Sequence, residues 1–196
     1  MLGPPDLVPL TGPLAAVETI YRVPTGRIAY AHAWIIHVMS GRTHIETAHG
    51  AHIALAGDTL VIGSGAWCAI QPNPWVRSWT IYVDEALLRE HMRWAVPEDA
   101  PLTQGVPPSS WDGAPICLRL PPSVLLRLEP ILRRMSVTNA AESHLAGARI
   151  MALFADAVVV VIPELLADIE PHRDPAASTE SGARAHPWCA QRFAKP

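Results

Sequence analysis

The apolar positions divide the chain into two unlike halves. From Leu14 to Val83, short β-prone runs alternate with turn residues. The runs are Leu14–Arg22, Arg27–Ser40, Thr43–Thr47, His52–Leu55, Thr59–Ile62, Trp67–Gln71 and Val76–Val83. Breaks fall at Pro24-Thr25-Gly26, Ser40-Gly41-Arg42, His49-Gly50, Ala56-Gly57-Asp58, Gly63-Ser64-Gly65 and Pro72-Asn73-Pro74. Short strands punctuated this regularly predict an antiparallel sandwich or barrel. After Asp84 the period becomes helical. Asp84 is placed to cap a helix to about Trp94, with Leu87, Leu88, His91 and Trp94 on one face. Ile116–Leu120 reads as one further short strand. From Ser123 to Met135 a stripe of Val124, Leu128, Ile131, Leu132 and Met135 predicts a helix that Pro130 should bend or interrupt. Asn139 and Glu142 have the spacing of a capping box. The helix predicted after them carries Ile150, Leu153, Phe154, Ala157 and Val161 on one face, and Pro163 should end or kink it.

Composition narrows the class. Hydrophobic residues make up 49% of the chain, enough for a sizeable core. Proline is 20 of 196 residues, about twice the usual share, and gathers at the ends and between Pro97 and Pro122. This pattern divides the chain into an arm (1–13), a β-barrel domain (14–120), a helical region (121–170) and a tail or linker (171–196). Charged residues are 17%, below the usual quarter or so, which suggests a surface patch that meets a partner.

Charge and cysteine usage exclude some functions. Fifteen Lys and Arg face 18 Asp and Glu, for a net charge of −3 and no basic run. Autonomous nucleic-acid binding is not expected. Three cysteines without a CxxC argue against a disulfide scaffold or a zinc ribbon and suit a reducing compartment. The N-terminal MLGPPDLVPLTGP lacks the basic start and apolar stretch of a signal peptide. The run Ala157–Ile162 is far shorter than a bilayer span. A cytoplasmic protein without membrane contact is expected.

Four segments, IIHVMSGR (35–42), LAGDTLVIGSG (55–65), WCAIQPNP (67–74) and VRSWTIYVDEALL (76–88), carry a family resemblance in their order and spacing. Together they resemble the N-terminal sensor domain of AraC-family transcription regulators. The resemblance continues loosely into the helices at 123–162. It implies a cupin-like antiparallel β-barrel (double-stranded β-helix) followed by a C-terminal helical pair. The barrel would hold a small organic effector, and the helices would form a homodimer contact. The family's helix-turn-helix module does not follow: the residues after Ile162 are few and not helix-periodic. The implied chain senses a small molecule without its own DNA reader: it is either a fragment of a longer regulator or a stand-alone sensor that acts through a full-length regulator or another host protein. The arm would close over the barrel mouth when effector binds.

Many cupins hold a metal, so the ligand positions need a test. In the second cupin motif, Gly57 and Gly65 keep their places, Gly63 replaces Pro, Cys68 replaces His and Pro72 replaces Asn. In the first motif Trp34 stands at the Glu position, and Ile28 and Tyr30, or Arg27 and Ala29, stand at the His positions. One thiol among aromatic neighbours is a poor ligand set, so no metal and no other cofactor is expected. His32, His37, His44, His49 and His52, with Glu46, form a rival cluster. By alternation His44 shares a face with Glu46 and His32 with Trp34, whereas His37 lies opposite. These histidines read mostly as solvated or hydrogen-bonded strand residues.

Motif alignment turns Tyr30, Trp34 and Cys68 inward, and alternation adds His32, Ile36 and Ile70. Trp79 and Ile81 are the expected inward pair on the last strand. These eight residues are the candidate effector site. Val124, Leu128, Leu132, Met135, Ile150, Phe154, Val158 and Val161 are the candidate dimer contact. No nucleophile elbow, P-loop or dinucleotide fingerprint occurs, and Ser64 reads as a turn residue. An enzyme is not expected. The alternatives are an atypical cupin enzyme such as an isomerase or lyase, and a ligand-free protein-interaction module.

Overall fold

The computed structural model describes residues 13–95, 115–139 and 145–167. The expected arm apart from Pro13, the tail and the capping residue Glu142 lie outside the described residues. Among the described residues, seven strands precede or flank three helices. They are β1 (Leu14–Tyr21), β2 (Ile28–Ala29), β3 (Ala33–Thr47), β4 (Gly50–Leu55), β5 (Asp58–Ile62), β6 (Trp67–Val83) and β7 (Ile116–Arg119). The helices are α1 (Glu85–Ala95), α2 (Pro122–Asn139) and α3 (Ala146–Ala167).

All strand pairs are antiparallel, in the order β1-β6-β3-β5-β7, with β2 also on β6 and β4 also on β3. The long strands β3 and β6 each merge two runs that the turn signals at Gly41 and Pro72-Asn73-Pro74 had separated. Those residues make bends within pairing strands rather than loops. Register shifts fall between Val38 and Ser40 and between Gly41 and Thr43, and such bulges turn a sheet sharply. Gly41 takes a φ of 85°, and a Cβ there would lie 2.3 Å from the Trp75 carbonyl oxygen. Only glycine fits that backbone approach.

The bend folds the sheet over itself. Trp34, Ile36, Val38, Leu60 and Ile62 from one half meet Ile45, Ala54, Cys68 and Ile70 from the other in one buried cluster. The opposite face of the first half carries Leu14, Ala16, Ala33, Trp79, Ile81 and Val83, and against it pack all three helices. Arg77 ties the two layers together. It donates to Glu18 of β1 at 2.6 Å and to Glu129 of α2.

The helices run through both of their internal prolines, and one capping expectation fails. Asn139 is the last residue of α2, and α3 begins at Ala146, so the capping-box reading fails. Pro130 sits inside α2, and α3 runs past Pro163 to Ala167. The stretch Ala146–Pro163 has a mean hydropathy of 1.8 and is long and apolar enough to cross a membrane. Here Ile150, Leu153, Phe154 and Ala157 bury its stripe against the sheet and α2.

The same packing takes up six of the eight candidate dimer-contact residues within the chain itself. Val124, Leu128, Leu132 and Met135 are 0% exposed, and Ile150 and Phe154 are buried. Val158 and Val161 pack partly buried against the same core. These apolar stripes are consumed by the chain's own sheet, because one face of the sheet is itself apolar and needs a cover.

Candidate functional site: the barrel interior

Register fixes what faces inward. Trp34 stands opposite Ile62 on one side and Tyr82 on the other, and Ile36 opposite Leu60 and Thr80. Directly opposed residues share a sheet face. The inward positions of β6 are therefore Cys68, Ile70, Val76, Ser78, Thr80 and Tyr82. Trp79 and Ile81 alternate away and belong to the helix-side cluster, opposite His37 and Ile35. The expected inward pair on the last strand is thus corrected: Tyr82 takes that place. The other interior residues confirm the expected geometry: Trp34, Ile36, Cys68 and Ile70 lie in the interior cluster, and Tyr30 packs against it. His32 is half-buried in the bend before β3, so strand alternation does not extend to it.

Three rings form the centre of the site. Tyr30 meets Trp34 edge-on at 4.5 Å between centroids and Tyr82 at 4.9 Å, while Trp34 and Tyr82 are 5.8 Å apart. Such edge-to-face contacts add to the area the rings bury. Burial, then the neighbouring Tyr30, raises the Tyr82 phenol far above its ordinary value. Burial pushes the Tyr21 phenol and the Cys68 thiol each up to about 12. All three groups are neutral at physiological pH. Cys68 is consequently a small apolar wall residue rather than a thiolate.

Two of the unmatched buried polar atoms among the described residues face the interior, whereas the Trp79 indole N–H, also unmatched, lies on the helix side. The Trp34 indole Nε1–H and the Ser78 hydroxyl have no hydrogen-bond partner, although these residues are only 3% and 2% exposed. Ser78 opposes Val38 and so faces the interior. An unmade bond of this kind costs about 1–3 kcal/mol unless something supplies it. The only charged side chains with inward parity on the described strands are Asp58 and Arg119. They pair at 2.9 Å where β5 begins, with Arg119 largely in solvent. At the same margin the Cys117 thiol lies 3.7 Å from His52 Nδ1.

The metal that cupins often hold does not fit these residues. An indole N–H offers no lone pair, Ile28 offers no donor atom, and the Cys68 thiol is held protonated by burial. The histidine cluster is dispersed by the β3 bulge. Before it, even-numbered residues face inward. After it, Thr43, Ile45 and Thr47 do. The bulge turns His44 and Glu46 outward, where Glu46 accepts from the Gln71 amide at 2.6 Å. His37 is buried on the helix side and His49 is exposed in a turn. Among the described residues no three metal-ligating side chains converge. Ser64 donates its amide (3.0 Å) and hydroxyl to Glu85 of α1, tying the turn to the helix.

The fold is that of a cupin-like barrel with C-terminal helices. No protein-family model matches the sequence, and no curated protein matches it. Solved structures similar to the chain include an ethanolamine utilization protein Q from Salmonella typhimurium LT2, at 20% identity and a TM-score of 0.34. The alignment covers 37% of this chain and 58% of that one, so the match spans little more than half of that protein. A cupin 2 conserved barrel domain protein from Salinispora arenicola is 18% identical over 43% of this chain and 73% of that one, with a TM-score of 0.35. ToxT from Vibrio cholerae is 6% identical over 72% of this chain and 54% of that one, with a TM-score of 0.48.

Sequence reasoning missed Tyr21, Ser78 and Tyr82. The strand that carries Ser78 and Tyr82 is apolar on both faces, so its parity cannot be read from alternation. The pairing of Trp34 with Tyr82 is what assigns it.

Proposed function

We propose that this chain is a small-molecule-sensing cupin domain of the AraC-like kind, not an enzyme, and that it binds a neutral organic effector inside the barrel. The observation that carries the reading is the unmatched Trp34 Nε1–H within the Tyr30–Trp34–Tyr82 ring group, with the unmatched Ser78 hydroxyl further along the same inner face. A ligand with a flat apolar body and a hydrogen-bond acceptor answers both features. On the described strands the interior below the Asp58–Arg119 pair is lined by neutral side chains, which favours an uncharged ligand, because a buried charge needs a partner. The effector acts by binding one arrangement of barrel and helices more tightly than another. The domain then passes this difference on to transcription in the cytoplasm through a regulator or another host protein.

Thermal denaturation with a library of neutral aromatic and heteroaromatic compounds tests this. A ligand that binds only the folded state raises Tm with concentration. Binders should stabilise the wild type and lose much of that effect in Trp34→Phe, which keeps a ring and removes the donor. A library with no stabilising compound, or stabilisation unchanged in Trp34→Phe, would overturn the reading.

A further inference from the structure

The Cys117 thiol is one of a pair. It lies 3.7 Å from His52 Nδ1, within hydrogen-bond reach of a sulfur atom. Register puts both side chains on the inner face of the barrel. Cys117 of β7 opposes Leu60 of β5, and His52 of β4 opposes Ile45 of β3. Leu60 and Ile45 both belong to the interior cluster. Arg119 follows Cys117 by two residues, so it stands about 7 Å along the same face. There it opposes Asp58 and pairs with it at 2.9 Å. None of the three belongs to the Tyr30–Trp34–Tyr82 ring group. Cys117 and His52 are half-buried and Arg119 is exposed, so all three keep surface that a small molecule can touch.

These residue types supply the three parts of a conjugate addition. The thiol is the nucleophile, and it reacts as the thiolate. A neutral imidazole beside it accepts the proton. Burial, then His49, lowers the His52 pKa, so the ring is neutral near pH 7 and able to take that proton. An N–H donor answers the negative charge that develops on the carbonyl oxygen of the reagent. A guanidinium has five such donors, and the bond from Arg119 to Asp58 uses one terminal nitrogen. The walls beside the pair, Leu60, Ile45 and Ala54, are apolar and buried. They favour a small uncharged electrophile over a bulky charged disulfide. Cys68 is the built-in contrast, 2% exposed and with its thiol pushed up to about 12.

We propose that Cys117 is a modification site for small uncharged α,β-unsaturated carbonyl compounds, with His52 as its base and Arg119 as the donor to the carbonyl oxygen. The S–H bond breaks and its proton passes to His52 Nδ1. Sulfur bonds the β-carbon while the C=C π pair shifts to give an enolate, and the proton then goes to the α-carbon. The product is a thioether, and no oxidant or reductant is consumed. The site does not depend on what the ring group binds.

Methyl vinyl ketone on the full chain, followed by peptide-mapped mass spectrometry, tests this. At pH 7 Cys117 should be alkylated about tenfold or more faster in the folded protein than in urea, while Cys68 stays unmodified. His52→Gln should slow Cys117 by about tenfold or more. Cys189, which lies outside the described residues, serves as the internal reference and should keep its rate. Arg119→Met should slow the ketone more than iodoacetamide, whose substitution builds no enolate oxygen. Continued protection of Cys68 shows that a variant is folded, and the comparison of folded with unfolded wild type needs no variant. Cys117 reacting no faster folded than unfolded, an unchanged rate in His52→Gln, equal slowing of both reagents by Arg119→Met, or faster modification by glutathione disulfide than by the ketone at equal concentration would overturn the proposal.

Discussion

His37 Nδ1 lies 2.8 Å from the Thr59 hydroxyl, and both side chains are almost wholly buried between the sheet and its surroundings. Burial lowers the His37 pKa to about 4 from an ordinary value near 6.5. The unfolded chain therefore binds the extra proton more readily than the folded one. Stability due to neutral His37 is complete above pH 6.5, falls as the pH drops towards 4, and is lost below that. The amount is about 3 kcal/mol by linkage. Urea unfolding between pH 4 and 8 should show this slope. His52, whose pKa is also lowered by burial and then by His49, adds a smaller part in the same direction. The pair His37→Leu and Thr59→Val removes donor and acceptor together, so it should flatten the slope at modest cost near neutrality.

Arg77 offers a second test. It bridges Glu18 and Glu129, and all three side chains are mostly shielded from solvent. The Arg77 hydrogen bond holds the Glu129 carboxyl below its ordinary range despite partial burial. Arg77→Met should cost roughly 1–3 kcal/mol and leave two facing carboxylates. That loss should be present near neutrality and shrink as the carboxylates protonate in acid. Chemical denaturation at pH 7 and at low pH would separate it from the histidine effect.

Gly41→Ala should be among the most damaging single changes. The new Cβ would meet backbone at 2.3 Å with φ at 85°. Backbone cannot step aside as a flexible side chain can, so a loss of about 3 kcal/mol or more is expected. Gly65→Ala also strains a positive φ but meets nothing within 4 Å, so it should cost far less. Paired thermal melts would show the difference.

Cys68 should behave as a core residue. It is 2% exposed, and its thiol is pushed up to about 12. Thiol reagents should label it only as fast as the protein unfolds. Mass-spectrometric mapping under native conditions should find label elsewhere first.

Much of the architecture was legible in the sequence. The runs at Leu14, His52 and Thr59 became strands nearly as bounded, and the change of period at Asp84 marked the start of the helices. Asp84 does cap α1, its carboxylate accepting from the Ala86 amide at 2.9 Å. The interior places of Trp34, Ile36, Cys68 and Ile70 followed from motif spacing and alternation. The helix stripes at Val124–Met135 and Ile150–Phe154 were also legible, and the chain's own sheet and helices cover them. A stripe shows that a helix buries a face and does not say whether its own sheet or a second chain covers it.

The sequence by itself therefore determined which residues are strand or helix and which are buried, since period and polarity are local properties. Tertiary structure alone decided the side to which buried residues turn. A single bulge in β3 sends His44 and Glu46 to solvent, and cross-strand register gives Tyr82 the inward place instead of Trp79 and Ile81. Side-chain direction alternates at every residue, so one extra residue or one pairing choice reverses a whole face.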